Sequence, residues 1–154
     1  MLWDVRNDSD ALFSLYGIDL EAVYDLQLLE VAFRRSKNKN FKFLKGLGDA
    51  VLEYVKPDPS WAEVKNAGKL LLFPEKGGSF ELFERRPLDP RVLLYAANDV
   101  TFLFTLWAIL DEGLGHRCIE WRKRVLKASA DRVAESHQIN YNPHDKKHCL
   151  VPTF

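Results

Sequence analysis

An α/β domain in which helices dominate and only about two short strands remain is what this sequence predicts. Three observations lead there. The 154 residues carry 47% hydrophobic and 12% aromatic side chains, enough for one core and the usual size of one compact domain. Helix start and stop signals recur, with polar cap residues before apolar-periodic stretches and Gly or Pro after them. Two short runs, residues 2–5 and Val23-Tyr24-Asp25, read as strands that each lead into a helix. Two short strands cannot by themselves make a stable sheet, so helices set the character of the domain.

The elements follow in order. After the strand at 2–5 comes a helix over 8–16, capped by Asp8 or Ser9 and ended by Gly17. The strand at Val23-Tyr24-Asp25 precedes an apolar helix through Leu26–Arg34, and a Lys/Asn-rich loop follows. Phe43–Tyr54 reads as helix, terminated by Pro57 and Pro59. Trp61 to about Leu72 is the next helix, capped by Ser60, before the turn-forming Pro74-Glu75-Lys76-Gly77-Gly78-Ser79. Phe80–Phe83 reads as extended. A long helix spans about 90–111, with Asp89 as N-cap, Pro90 at the first helical position and Gly113 as the stop. A last helix covers roughly 118–135. Residues 1–136 are thus expected to form the domain, and 137–154 an irregular tail.

Charge and cysteine usage narrow the function classes. Twenty-two basic and twenty-two acidic residues cancel, which excludes a generic polyanion binder of histone type. Two cysteines are too few for a disulfide framework and fit a reducing compartment. No basic n-region with an apolar h-region opens the chain, so an intracellular protein of nucleus or cytoplasm is expected. Between Val92 and Leu110 the only charge is Asp99, a length that would span a bilayer. A central Asp costs about 2.5–3.5 kcal/mol in that setting, and the segment reads as a buried globular helix with no membrane role. Residues 1–31 carry seven acids (Asp4, Asp8, Asp10, Asp19, Glu21, Asp25, Glu30) and one base, Arg6. Residues 34–45 carry six bases and no acid, and the last helix adds Arg117, Arg122, Lys123, Arg124 and Lys127. An acidic part beside basic loops suits metal binding next to phosphate binding, although solvated loop and helix faces give the same pattern.

Asp99 is the most informative position. On a helix over 90–111 its face neighbours are Tyr95, Ala96, Phe102 and Leu103, a stripe that should point inward. A carboxylate there needs a partner or a cation. Tyr95, four residues earlier, directs its hydroxyl toward the same place. An Asp at the stripe's edge, bonded to an Arg or to backbone, fits the pattern equally well. Asp8 has two readings, an N-cap or a ligand group at a strand-to-helix junction.

Asp4-Val-Arg-Asn-Asp8-Ser-Asp-Ala-Leu12, Gly17-Ile18, Val23-Tyr24-Asp25-Leu26-Gln27 and Tyr95-Ala-Ala-Asn-Asp99-Val100 together resemble the ribonuclease D-like 3′–5′ exonucleases. These belong to the DEDD superfamily, in the branch with a tyrosine in its third motif, and have a ribonuclease H-like fold. The likeness spans about residues 2–112. It implies that Asp8 is the second-motif aspartate and that Tyr95 and Asp99 are the third motif. By the same resemblance, Asp8 and Asp99 would hold two Mg²⁺ or Mn²⁺ ions, with Tyr95 orienting the attacking water. The partner would be the 3′ end of a single-stranded nucleic acid, RNA or DNA. The family's first motif, an Asp-x-Glu on the first strand, does not occur before Asp8. The resemblance therefore implies a domain shortened at its N-terminus, with strand 2–5 unpaired and hydrolysis impaired. The alternatives are a non-catalytic nucleic-acid- or partner-binding remnant of that fold, and a purely helical interaction module.

Weaker constellations complete the reading. His144, His148 and Cys149 have the spacing of zinc ligands but lie in a polar tail with Pro143 and Pro152, which reads as loop. Gly77-Gly78-Ser79 lacks a phosphate-loop pattern and reads as a turn. The 34–45 run, with Phe41 and Phe43 interleaved, suits single-strand tracking by charge and stacking, or a solvated loop followed by core residues. Trp61, Trp107 and Trp121 are expected in the core. His116 and His137 have no partner identifiable from sequence, so no nucleophile–His–acid set is expected.

Overall fold

The computed structural model describes all 154 residues. Its helices are α1 (Val5–Tyr16), α2 (Leu26–Ser36), α3 (Leu47–Ala50, continued by a π-helical turn over Val51–Val55), α4 (Pro59–Leu72), α5 (Pro90–Val100), α6 (Leu103–Gly113) and α7 (Cys118–Ser136). Three start where a side chain can satisfy the free N–H groups of a first turn. Asp25 accepts from the Gln27 N–H at 2.9 Å to open α2. Asp58 accepts from Ser60 at 2.9 Å to open α4, and Asp89 accepts from Arg91 at 2.8 Å to open α5, with Pro90 at the first helical position. The cap of α4 is thus Asp58, two residues before the expected Ser60.

No strand forms, and the expected α/β class is corrected to α-helical. The runs at 2–5 and 23–25 meet only at one parallel bridge between Leu2 and Asp25. Two backbone bonds hold it, from the Leu2 N–H to the Tyr24 carbonyl (3.2 Å) and from the Leu26 N–H to the Leu2 carbonyl (2.8 Å). The local reason is at Asp4, whose φ of +58° turns the chain out of an extended path, so that Val5 already begins α1. α1 therefore starts three residues early, with Asp4, not Asp8 or Ser9, at its N-cap. An antiparallel bridge between Phe43 and Leu150 is the other isolated one. A ribonuclease H-like domain is built on a central sheet, and the resemblance fails on that requirement.

Four further expectations are corrected. Residues 43–46 are not helical, and Phe80–Phe83 is a 3₁₀ turn whose first N–H groups are met by Ser79, which accepts from Glu81 at 3.2 Å. The long helix is broken at Thr101-Phe102, where the Thr101 hydroxyl donates back to the Ala97 carbonyl at 2.8 Å, a bond that bends helices. Nor is that helix buried: Leu93, Leu94, Val100 and Phe104 are all exposed. The stretch Pro90–Gly113 is long and apolar enough to cross a membrane, with a mean hydropathy of 1.6 and only 11% of its apolar window buried.

The chain divides into two compact units, residues 1–46 with 106–154, and residues 47–105. In the first unit, α7 packs on both α1 and α2. Every residue of α2 from Leu26 to Ala32 is buried, as befits a central helix. Asp25, fully buried, joins the three helices. It accepts from the Asp4 and Val5 N–H groups (3.0 and 3.1 Å) and from the Arg132 guanidinium (2.6 Å), while its own N–H donates to Ser129 (3.0 Å). The last residues return along α2, where Arg35 donates to the Pro152 carbonyl at 2.7 Å. In the second unit α4 packs on α5. Gly68 makes this possible, because a Cβ there would lie 1.9 Å from Tyr95 Cδ2. Trp61 donates to the Asn98 carbonyl (3.2 Å), and the Asn98 amide donates back to the Trp61 carbonyl (3.3 Å).

Candidate functional site

Tyr95 and Asp99 do come together, on the α5 face that meets α4. Their common neighbour is a lysine. Lys65 forms an ion pair with Asp99 and places its ammonium 4.9 Å from the centre of the Tyr95 ring. Burial raises the Tyr95 phenol above its ordinary value, with help from the Asp99 charge and opposition from Lys65. Lys65 thus already meets the charge of this carboxylate. Asp8 belongs to the other unit, in the first turn of α1, exposed. Crowding by neighbours raises its carboxyl above the ordinary value, and the negative charges of Asp4 and Asp25 raise it further. No three His, Cys, Asp or Glu side chains gather anywhere in a group able to hold a metal ion. The donor set therefore does not fit the expected pair of Mg²⁺ or Mn²⁺ ions.

The sequence missed a second constellation. Ser9 Oγ lies 3.0 Å from His137 Nε2, and Asp19 Oδ1 lies 3.7 Å from His137 Nδ1. That is the order of a nucleophile, base and orienting acid. Ser9, however, is completely buried on the inner face of α1, so no substrate reaches its hydroxyl. With Phe13 stacked on the imidazole at 4.0 Å, the set ties α1 to the end of α7. Two of the three tail residues with ligand spacing are occupied otherwise: His148 stacks on Tyr141 at 5.4 Å, and Cys149 donates to the Lys146 carbonyl. At Gly77-Gly78-Ser79 the backbone is consumed in closing α4, with the Gly78 and Ser79 N–H groups donating to the Phe73 and Leu71 carbonyls.

What the first unit does present is a basic cleft of about 300 Å³, lined by Arg35, Ser36, Asn38, Leu114, His116, Arg117 and Trp121. Arg35 and Ser36 come from the last turn of α2, and Asn38 from the loop after it. His116 and Arg117 sit on the 3₁₀ turn Gly115–Arg117 that leads into α7, and Trp121 lies in the first turn of that helix. No carboxylate lines the cleft. Of the acids nearest in sequence, Asp111 pairs with Arg122 and Glu120 with Arg124, while Glu112 is exposed and carries no ion pair. Arg124 also lies over the Trp121 ring, 5.2 Å from its centre. His116 and Arg117 are exposed and carry no ion pair. Arg35 donates to the Pro152 carbonyl and to an oxygen of Phe154, whose terminal carboxylate meets its charge. The two basic segments visible in the sequence thus share one concavity. Their convergence depends on how α2 and α7 pack and had no local signature.

No family model, curated protein or solved structure matches the chain. With neither a central sheet nor a family match, the resemblance to the ribonuclease D-like exonucleases does not hold.

Proposed function

We propose that this chain binds single-stranded nucleic acid through the basic cleft of its first unit, without a catalytic step of its own. The observation that carries the reading is that Arg35, Ser36, Asn38, His116, Arg117 and Trp121 line one cleft, which thus holds two arginines, a histidine and a tryptophan but no acidic side chain. Cationic side chains beside an aromatic ring are what an unpaired strand requires, one for its phosphates and the other for its bases. The even overall charge does not oppose this, because the acids concentrated in residues 1–31 include the buried pairs of Asp25 and Glu30 with Arg132 and Arg34.

The test is fluorescence anisotropy with a labelled single-stranded 12-mer. Each phosphate contact contributes about −0.7 to the log–log salt slope, so affinity should fall about two- to threefold per contact when salt rises fourfold. Trp121→Ala should weaken binding by about 1–3 kcal/mol, the usual worth of one stacked base. Binding that ignores salt and Trp121 would refute the proposal. The same mixture with Mg²⁺ examines the hydrolytic alternative, for which no trimming of the 3′ end is expected. Robust trimming abolished by Asp99→Ala would establish hydrolysis in its place.

A further inference from the structure

The acids crowded into residues 1–31 do not all find a cation. Asp4 pairs with Arg6, Asp25 with Arg132 and Glu30 with Arg34. Glu21 carries no ion pair, and Asp19 comes no nearer to a basic group than 3.7 Å, at His137 Nδ1. Both are exposed, and both border a groove of about 390 Å³ between residues 19–23 and one face of α7. Apart from His137, whose Nε2 is already engaged with Ser9, the rest of the lining is apolar. We infer that this groove receives one long basic side chain, arginine or lysine, from a peptide segment of a partner protein in which the neighbouring residues are apolar.

Shape and charge both lead to that occupant. On α7 the wall is Leu126, Ala130, Val133 and Ala134, whose spacing puts them on one helix face, and the two exposed alanines one turn apart leave room above the helix. Leu20, Ala22 and Val23 form the opposite wall. That wall is tied down on both sides: the Ile18 N–H donates to the Leu12 carbonyl at 3.2 Å, and the Tyr24 carbonyl accepts from the Leu2 N–H at 3.2 Å. The groove thus exists before a partner arrives, which spares the cost of ordering a loop on binding. Its volume lies near the small end of ligand sites, room for one extended side chain and its neighbours and not for a folded domain. An arginine or lysine lays its methylene stem on apolar surface and keeps its charge at the wet edge, where Asp19 and Glu21 stand. A nucleic-acid strand or an anionic lipid surface meets the wrong sign of charge here. No three carboxylate, imidazole or thiol groups gather closely enough to hold a metal ion, so the cation is organic.

The experiment titrates the full chain with a fluorescein-labelled nine-residue peptide, blocked at both ends, that carries one central arginine flanked by leucine and alanine. Companion peptides replace the arginine by lysine, replace it by citrulline (nearly the same shape without the charge), or replace the leucines by serine. The arginine and lysine peptides should bind, and the citrulline and serine versions should each bind tenfold or more weakly. Asp19→Asn combined with Glu21→Gln should produce the same loss with the arginine peptide. Ala130→Phe, at an exposed helix position, should fill the groove and abolish binding, with melting temperatures showing that the variants stay folded. The peptide series needs only the native chain, so it reads the charge requirement whatever a substitution does to folding. Equal affinity for the arginine and citrulline peptides, binding that survives either protein variant, or no binding of any peptide would overturn the inference. A chain that sediments as a dimer and becomes monomeric with Ala130→Phe would assign the groove to a second copy and overturn it as well.

Discussion

Asp25→Asn is the most searching test of how the first unit is held together. In the native chain Oδ1 of Asp25 accepts from the Asp4 and Gln27 N–H groups, while Oδ2 accepts from the Val5 N–H and from Arg132 at 2.6 Å. An amide NH₂ in the place of Oδ2 faces two donors and makes neither bond. The lost charge-assisted bond is worth about 1.5–3 kcal/mol and the neutral one about 1 kcal/mol. Arg132, only 5% exposed, is left with Gln27 and the more distant Asp4 to balance its charge. The two add to about 2.5–4 kcal/mol, and the buried charge left on Arg132 puts the loss in the upper part of that range, about 3–4 kcal/mol, a large share of a domain's 5–15 kcal/mol. Urea denaturation reads it directly. With a slope of about 2 kcal/mol per molar, the midpoint should fall by about 1.5–2 M. Adding Arg132→Met should restore at least 1 kcal/mol, because the uncompensated guanidinium is then gone. A loss below 1 kcal/mol in the single variant would refute this account of Asp25.

Two further perturbations test neighbouring features. Burial pushes the Asp4 carboxyl up, but the Arg6 hydrogen bond and the charges of Arg132 and Arg6 outweigh it and hold it below its ordinary value. The stability it contributes is therefore present above the unfolded value, about 3.9, and is lost as pH falls through the lower folded value. Urea midpoints measured from pH 6 to 2 should decline at the acid end, and Asp4→Asn should flatten that decline; parallel profiles would count against it. In the second unit, Gly68→Ala drives a methyl into the Tyr95 ring and should cost about 1–3 kcal/mol in a thermal melt. Tyr95→Ala in the same chain should relieve most of that cost, and a strictly additive double variant would show that the close approach is not the cause.

Much of the helix inventory was legible because it is local. Leu26–Arg34 was expected and Leu26–Ser36 is found, while 118–135 was expected and Cys118–Ser136 is found. Asp89-Pro90 starts its helix as predicted, since an N-cap acts within three residues of itself. The strands failed for the opposite reason. Hydrophobic runs at 2–5 and 23–25 state a preference for an extended chain, but a sheet needs several partners, and one bridge with a turn at Asp4 does not propagate. Of the three site residues, spacing alone put Tyr95 and Asp99 on one helix face. Nothing in the sequence marked Lys65, thirty-four positions before Asp99, as the cation between them.

By itself, then, the sequence determined where α2, α5 and α7 begin, where charge is concentrated, and that residues 34–45 and 117–127 are basic. Only the tertiary structure decided which charges are already matched and which are available. Glu30 takes Arg34, Asp25 takes Arg132 and Asp111 takes Arg122, while Arg117 carries no ion pair beside Arg35 and Trp121. The physical reason is range. A cap or a turn is set by atoms a few bonds away, whereas a binding cleft is set by the packing of helices about eighty residues apart.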